Sequence, residues 1–373
     1  MSTEHEDKRK CYCGSPMNIP REDKRLHRYG MNIPREDKRL HGYNILDSLT
    51  GYKEWFHYAG TFMVDGKRLA FVLGSPLTPN LEGILGWISF DGKQYSLAGN
   101  PEIPGNPKFF RLKRYAKFKD HEEEYYTITY PREPEPGNEY TGTIKGEFPH
   151  YQITTKTPEL NLTIEMRINP ENSPEKSVCT RSVRPLLCGA WFHSGDIAVS
   201  LKGRIKEKEI ETEGKGWYER NWVHVPIPIP AQWFWFLTFP ESGGAFDLLV
   251  ERLCGWRIHY LDECWLYWKG KFHEFHEYTA CISKGLEEAV ENRDCLGTIE
   301  KRICCKGENG ENWFDITAEV TDFRQYEYHE RCGSVKWMNP LIKTDGKACI
   351  DGELIRMKGS GFSERADITY WWC

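Results

Sequence analysis

The stretch Gly214-Lys215-Gly216-Trp217-Tyr218-Glu219-Arg220-Asn221-Trp222 gathers the residue types needed for acid chemistry on an apolar substrate. Read as a strand, it sends Trp217, Glu219 and Asn221 to one face and Tyr218, Arg220 and Trp222 to the other. Protonating an alkene carbon needs a strong acid and surroundings that tolerate a carbocation. A carboxyl group among aromatic rings meets both needs: burial keeps it protonated near neutral pH, and ring faces stabilise the cation. Glu219 beside Trp217 is therefore the candidate acid, and the amide of Asn221 can orient water or a substrate oxygen. The competing reading is a structural ion pair with an arginine, for which Arg220, on the opposite face, is a poor partner. Tyr218, Trp222, Trp233 and Trp235 are candidate substrate contacts, as are His57 and Tyr58. For each of these rings ordinary core packing is the alternative role.

The chain writes a similar phrase near its end, Gly359-Ser360-Gly361-Phe362-Ser363-Glu364-Arg365. Both copies read Gly-x-Gly-aromatic-x-Glu-Arg, and they lie about one domain length apart. The spacing suggests two similar β-domains, each containing one copy. The paired glycines permit a bulge or a close backbone approach. The second copy reads equally well as a barrel-closing strand whose glutamate pairs with an arginine.

The elements that must position these residues are strands. Trp55 to Val64 runs through Asp65-Gly66 into Arg68 to Leu73, and Gly86 to Phe90 runs through Asp91-Gly92 into Lys93 to Leu97. Asp-Gly between two such runs is a hairpin signature. Leu160, Leu162, Ile164 and Met166 alternate with polar residues and should face a core. Gln232 to Phe239 sets Trp233 and Trp235 on one face and Phe234 and Phe236 on the other, which predicts a strand covered on both sides at a domain contact. Val225-Pro-Ile-Pro-Ile-Pro230 lacks alternate N–H donors and cannot lie inside a sheet, so the domain boundary falls there. This gives a domain over 45–224 and another over 225–373. Ser283 to Arg293 is the best helix candidate. Residues 1–44, in which MNIPREDKRLH recurs word for word from Met31, have too few apolar side chains to bury and read as a flexible extension.

Composition sets the class. Aromatic residues make up 14% of the 373, with 14 Trp and 19 Tyr, which favours an all-β chain and suits a pocket for a bulky apolar ligand. A net charge of −5 gives no basic footprint for nucleic acid. The charged start lacks the apolar core of a signal peptide, and no run of about eighteen apolar residues could span a membrane, so a cytoplasmic location is expected. The 13 cysteines are an odd number and, without an export signal, are expected to be reduced. His273-Glu-Phe-His276 has a spacing of three in a β-like context and no third ligand, so no metal site is expected there. No phosphate loop or nucleophile elbow stands out.

The phrase at Gly214 to Trp222 resembles the Gly-x-Gly-Tyr-His-Asp-x-Asn-Trp-Gly motif of the carotenoid 1,2-hydratase (hydroxyneurosporene synthase) and AttH-like superfamily. That group includes kievitone hydratase-like proteins and fungal pericyclases of the Diels–Alderase type. Glu54-Trp55-Phe56-His57-Tyr58 with Gly60 resembles the family's early Glu-Trp-Trp-Tyr strand. Trp233 to Phe236 is similar to its Trp-x-Trp-Phe segment, and Gly359 to Glu364 to its C-terminal Gly-x-Gly-Tyr-x-Glu. The family's Asp is Glu219 here, its Tyr is Trp217, and its closing Gly is Val223. The nearest counterpart of its upstream His-x-Trp is Arg181-Ser182-Val183. The resemblance implies two lipocalin-like antiparallel β-barrel domains with a hydrophobic pocket, no metal and no organic cofactor. It implies hydration of an alkene, or cyclisation of a terpenoid or polyketide-type substrate. The alternative function is a lipocalin-like protein that binds a lipophilic molecule without chemistry.

Overall fold

The computed structural model describes residues 52–77, 84–97, 116–118, 126–130, 139–147, 149–168, 178–183, 187–224, 231–253, 258–282, 289–292, 297–330 and 333–370. Several strand ends, 187–196 and 220–224 among them, are described by backbone alone. No helix occurs among these residues, so none is long and apolar enough to cross a membrane.

The first sheet has twelve strands. They begin with β1 (Tyr52–Val64), β2 (Lys67–Leu77), β3 (Leu85–Phe90), β4 (Lys93–Ser96), β5 (Ala116–Phe118) and β6 (Tyr126–Tyr130). β7 (Thr141–Glu147), β8 (His150–Lys156), β9 (Leu160–Arg167), β10 (Val178–Val183), β11 (Leu187–Ile205) and β12 (Lys208–His224) complete them. The order β4-β3-β2-β1-β12-β11-β9-β8-β7-β6-β5 leaves β10 paired to β11.

The second sheet opens with β13 (Ala231–Pro240), β14 (Ala245–Leu253), β15 (Ile258–Trp268), β16 (Lys271–Glu274) and β17 (Glu277–Ile282). A separate hairpin, β18 (Ala289–Asn292) with β19 (Gly297–Glu300), intervenes. The sheet resumes with β20 (Arg302–Asn309), β21 (Asn312–Glu330), β22 (Gly333–Ile350), β23 (Glu353–Arg356) and β24 (Gly359–Tyr370). Its order is β16-β15-β14-β13-β24-β22-β21-β20-β17, with β23 on β22. All pairings among the described strands are antiparallel, and each sheet curls around its own core, giving two lipocalin-like β domains.

Local sequence accounts for much of this. Asp65-Gly66 and Asp91-Gly92 take φ of 49° and 74°, and 55° and 69°, the double left-handed turn that Asp-Gly accommodates and that matches strand twist. β9 alternates as its pattern required, with Leu160, Leu162, Ile164 and Met166 all in the first core. Strand β13 divides as read from its sequence: Phe234 and Phe236 fill the second core, and Trp235 points out of it. The helix expected over Ser283–Arg293 is corrected where the segment is described: Ala289–Asn292 is extended and pairs with Gly297–Glu300, while 283–288 and 293 lie outside the described residues. That segment has no apolar stripe to bury, and helix propensity alone is too weak to hold so short an element against strand pairing. The N-terminal repeats and the Val225–Pro230 connector lie outside the described residues.

A third apolar cluster joins the two sheets back to back. Ala59, Ala70, Val72, Trp87 and Trp217 come from the first, and Trp235, Leu237, Phe239, Leu341 and Phe362 from the second. Polar clasps flank it. Arg68 donates to the carbonyls of Ile342 (3.0 Å) and Gly361 (2.9 Å), while Gln94 and Ser89 donate to the Asp322 carboxylate at 2.6 and 3.3 Å. Arg68 lies opposite Met63, near one end of β1, and His57 lies towards the other.

Candidate active site

The two copies of the glycine phrase become equivalent central strands. β12 lies between β1 and β11, and β24 between β13 and β22. Their glycines are required by close backbone approach. A Cβ on Gly214 would sit 2.2 Å from the Thr61 carbonyl oxygen, and one on Gly361 only 1.8 Å from that of Leu237. Three residues beyond the second glycine of each phrase comes the glutamate. Glu219 pairs in register with His57 of β1, and Glu364 with Trp235 of β13. Both point to the outer face of their sheet, so packing the sheets back to back turns the two glutamates towards each other.

His57 stands between them. Its Nδ1 is 4.0 Å from Glu219 Oε2 and its Nε2 is 3.8 Å from Glu364 Oε2. These contacts are within charge range and longer than hydrogen bonds. All three groups are buried, with 8%, 5% and 6% of the His57, Glu219 and Glu364 surfaces exposed. The Trp235 ring meets the imidazole edge-on, centroids 4.7 Å apart, and its Nε1–H donates to Asp247 Oδ1 at 2.5 Å. Glu364 is held at both oxygens: the Trp233 indole N–H donates to Oε1, and Asn339 Nδ2 donates to Oε2 at 3.0 Å. Trp337 adds a third, less well-aligned donor. The same indole reaches across to the first sheet, where its Cη2 would lie 3.1 Å from a Cβ on Gly74. Gly74 faces His57 in the β1–β2 register, so the missing side chain leaves room for Trp337 beside the imidazole.

Burial sets the protonation. Loss of water pushes the Glu364 carboxyl up from 4.5 to about 7; the Trp233 and Trp337 N–H groups pull against this, Glu219 adds to it, and Asn339 pulls back. Burial also holds the His57 imidazolium below its ordinary 6.5, partly offset by the negative charge of Glu219. The pair is therefore an acid that keeps its proton near neutral pH beside an imidazole that stays neutral.

Of the sequence candidates, Glu219, His57, Trp233 and Trp235 come together at this contact. Trp217 shares their side of the sheet and packs into the cluster that contains Trp235. Tyr58 and Tyr218 lie on the opposite face, inside the first domain, where Tyr218 stacks on Tyr151 and their hydroxyls bond at 3.1 Å. The side chains of Asn221 and Trp222 lie outside the described residues. The sequence reading of sites passed over Glu364, Asn339, Trp337, Asp247 and Gly74. For Glu364 the repeated phrase was the available signal. Its partners are indoles, an amide and an imidazole, not the arginine of the barrel-closing reading. Among the described residues no group of three His, Cys, Asp or Glu side chains could hold a metal ion.

Neither family models nor curated proteins match the chain. Solved structures do. Kievitone hydratase from Nectria haematococca superposes with a TM-score of 0.51 at 10% identity, over 87% of this chain and 90% of that one. A Nitrosomonas europaea protein described as AttH matches at 13% identity over 88% and 98% of the two chains, with a TM-score of 0.47. CghA with Sch210972 matches at 10% identity over 87% and 89%, also with a TM-score of 0.47. At such identities the likeness concerns the fold, and the two-domain β architecture is that of the kievitone hydratase structure.

Proposed function

We propose that this chain is an acid-catalysed hydratase or cyclase of a hydrophobic terpenoid or polyketide-type substrate, bound at the contact of the two domains. One observation carries the reading: a carboxyl group, Glu364, keeps its proton to about pH 7 beside a neutral His57 and among three indoles. That the fold is shared with a hydratase supports it. In the sequence reading the acid was Glu219; the raised carboxyl makes Glu364 the better donor, with Glu219 on the far side of the imidazole.

Glu364 would give its proton to an alkene carbon, leaving a tertiary cation beside the Trp235 and Trp337 rings. In hydration, water attacks the cation while His57 Nε2 takes the water proton. His57 then returns that proton to the Glu364 carboxylate, which restores the starting state. In cyclisation a second double bond of the same substrate attacks, and His57 removes the proton that ends the sequence.

The test is incubation with an isoprenoid polyene such as lycopene in ¹⁸O-water, read by mass spectrometry for labelled hydrate or for an isomer of equal mass. Glu364→Gln should keep its ligand-induced tryptophan quenching and lose product by about a hundredfold or more, the size of a general-acid contribution. Undiminished turnover in that variant removes Glu364 from the mechanism. Quenching without any product in the unaltered protein favours a lipophile-binding role.

A further inference from the structure

His57 lies within 4.0 Å of a carboxylate from each domain, and its two nitrogens face different partners. A neutral imidazole carries a proton on one nitrogen and a lone pair on the other, and its neighbours decide which. We infer that Glu219 is a positioning residue: from its place against Nδ1 it fixes the His57 tautomer with the proton on Nδ1, leaving Nε2 bare towards Glu364.

The opposite tautomer is mismatched at both ends. It would aim a lone pair at the Glu219 carboxyl and an N–H at the Glu364 carboxyl that holds a proton, leaving that proton without the acceptor Nε2 offers. The inferred one sets a donor against Glu219 and an acceptor against the carboxyl that holds a proton. Nε2 is also the imidazole atom that is fully buried without a hydrogen-bond partner, so it is dry and aimed at Glu364. The ring is not free to turn away. The edge of Trp235 packs on it, and its Cδ2 lies 4.0 Å from where a Gly74 Cβ would be. Among the described residues, charged and titratable groups reach this ring from three strands: Glu219 on β12, Glu364 on β24, and Asp247 on β14 through the Trp235 indole; the side chain of His193, in register with Glu219 on β11, lies outside them. Glu219 and His57 belong to the first sheet and Glu364 to the second, so the base is prepared in one domain and meets its acid only when the domains dock. The inference deepens the acid–base reading of the site but concerns a proton position that exists without substrate.

The test is long-range ¹H–¹⁵N correlation of imidazole nitrogens in the full chain at about pH 6.5, where Glu364 still holds its proton and the depressed His57 is neutral. The His57 signals are identified among those of 12 histidines by their loss in His57→Gln. The expected result is a protonated Nδ1 and a bare Nε2 in the unaltered protein. That tautomer should persist in Glu364→Gln and Glu219→Asp and give way to a mixture or to Nε2–H in Glu219→Gln. A protonated Nε2 in the unaltered protein overturns the inference whether or not any variant folds, and so does an unchanged tautomer in folded Glu219→Gln. Turnover of Glu364→Gln tests the acid separately, so either conclusion can fail alone.

Discussion

Replacing Glu364 by Gln should make the protein more stable at alkaline pH. The carboxyl is raised from 4.5 to about 7 in the native state, so the folded chain holds a proton that the unfolded chain has released. The sign follows. Below 4.5 both states are protonated and nothing is lost; from 4.5 up to about 7 the unfolded chain gains stability by releasing a proton that the native carboxyl keeps, and above about 7 the full loss remains. At about 1.4 kcal/mol per pKa unit the cost is about 1 kcal/mol at about pH 5 and about 3 kcal/mol at about pH 8.5. Gln copies the shape of the protonated acid and never ionises. The stability difference between Glu364→Gln and the unaltered protein should therefore grow by about 2 kcal/mol between those pH values, in favour of the variant. His57 titrates in the opposite sense: its depressed value removes stability as pH falls below 6.5, but it does so in both proteins and largely cancels. Urea unfolding followed by tryptophan fluorescence at the two pH values measures the quantity. Parallel pH profiles would refute the argument that burial sets the charge of this group.

Gly361→Ala should cost about 3 kcal/mol or more, because its Cβ would collide with the Leu237 carbonyl and part β24 from β13; a midpoint shift in urea checks it. Arg68→Met should lower stability by about 2 to 4 kcal/mol, since two charge-assisted bonds to carbonyls of the second sheet are lost. Arg68 lies away from His57 along β1, so the Glu364 titration should survive this change. Tyr218→Phe should cost about 1 kcal/mol through its bond to Tyr151 and leave the pH dependence at Glu364 unchanged, because the two side chains lie on opposite faces of their sheets.

The period-two pattern made the strands legible. Trp217 against Tyr218, and Trp235 against Phe234, were assigned to opposite faces from alternation alone, and the two Asp-Gly turns fixed their hairpins. The grouping of Glu219 with His57 and the tryptophans lay within reach for the same reason. Glu364 was visible as a repeated letter in a repeated phrase, but its meeting with His57 depends on how two sheets pack back to back. No pattern within one strand encodes that. Asn339 and Trp337 were hidden more completely, because β22 reaches the site across β24 and neither residue belongs to a recognisable phrase. The segment 283–293 misled because its residue types favour a helix, whereas pairing with a neighbouring strand decided the outcome at 289–292.

The proposed chemistry depends on one proton. Difference infrared spectroscopy of the carboxyl stretch, comparing the unaltered protein with Glu364→Gln as pH rises from about 5 to about 9, observes it directly. The prediction is a protonated carboxyl band that disappears with a midpoint near 7 in the unaltered protein and is missing from the variant. If no carboxyl dependent on Glu364 titrates above about pH 6, the acid at the domain contact does not exist in the form described.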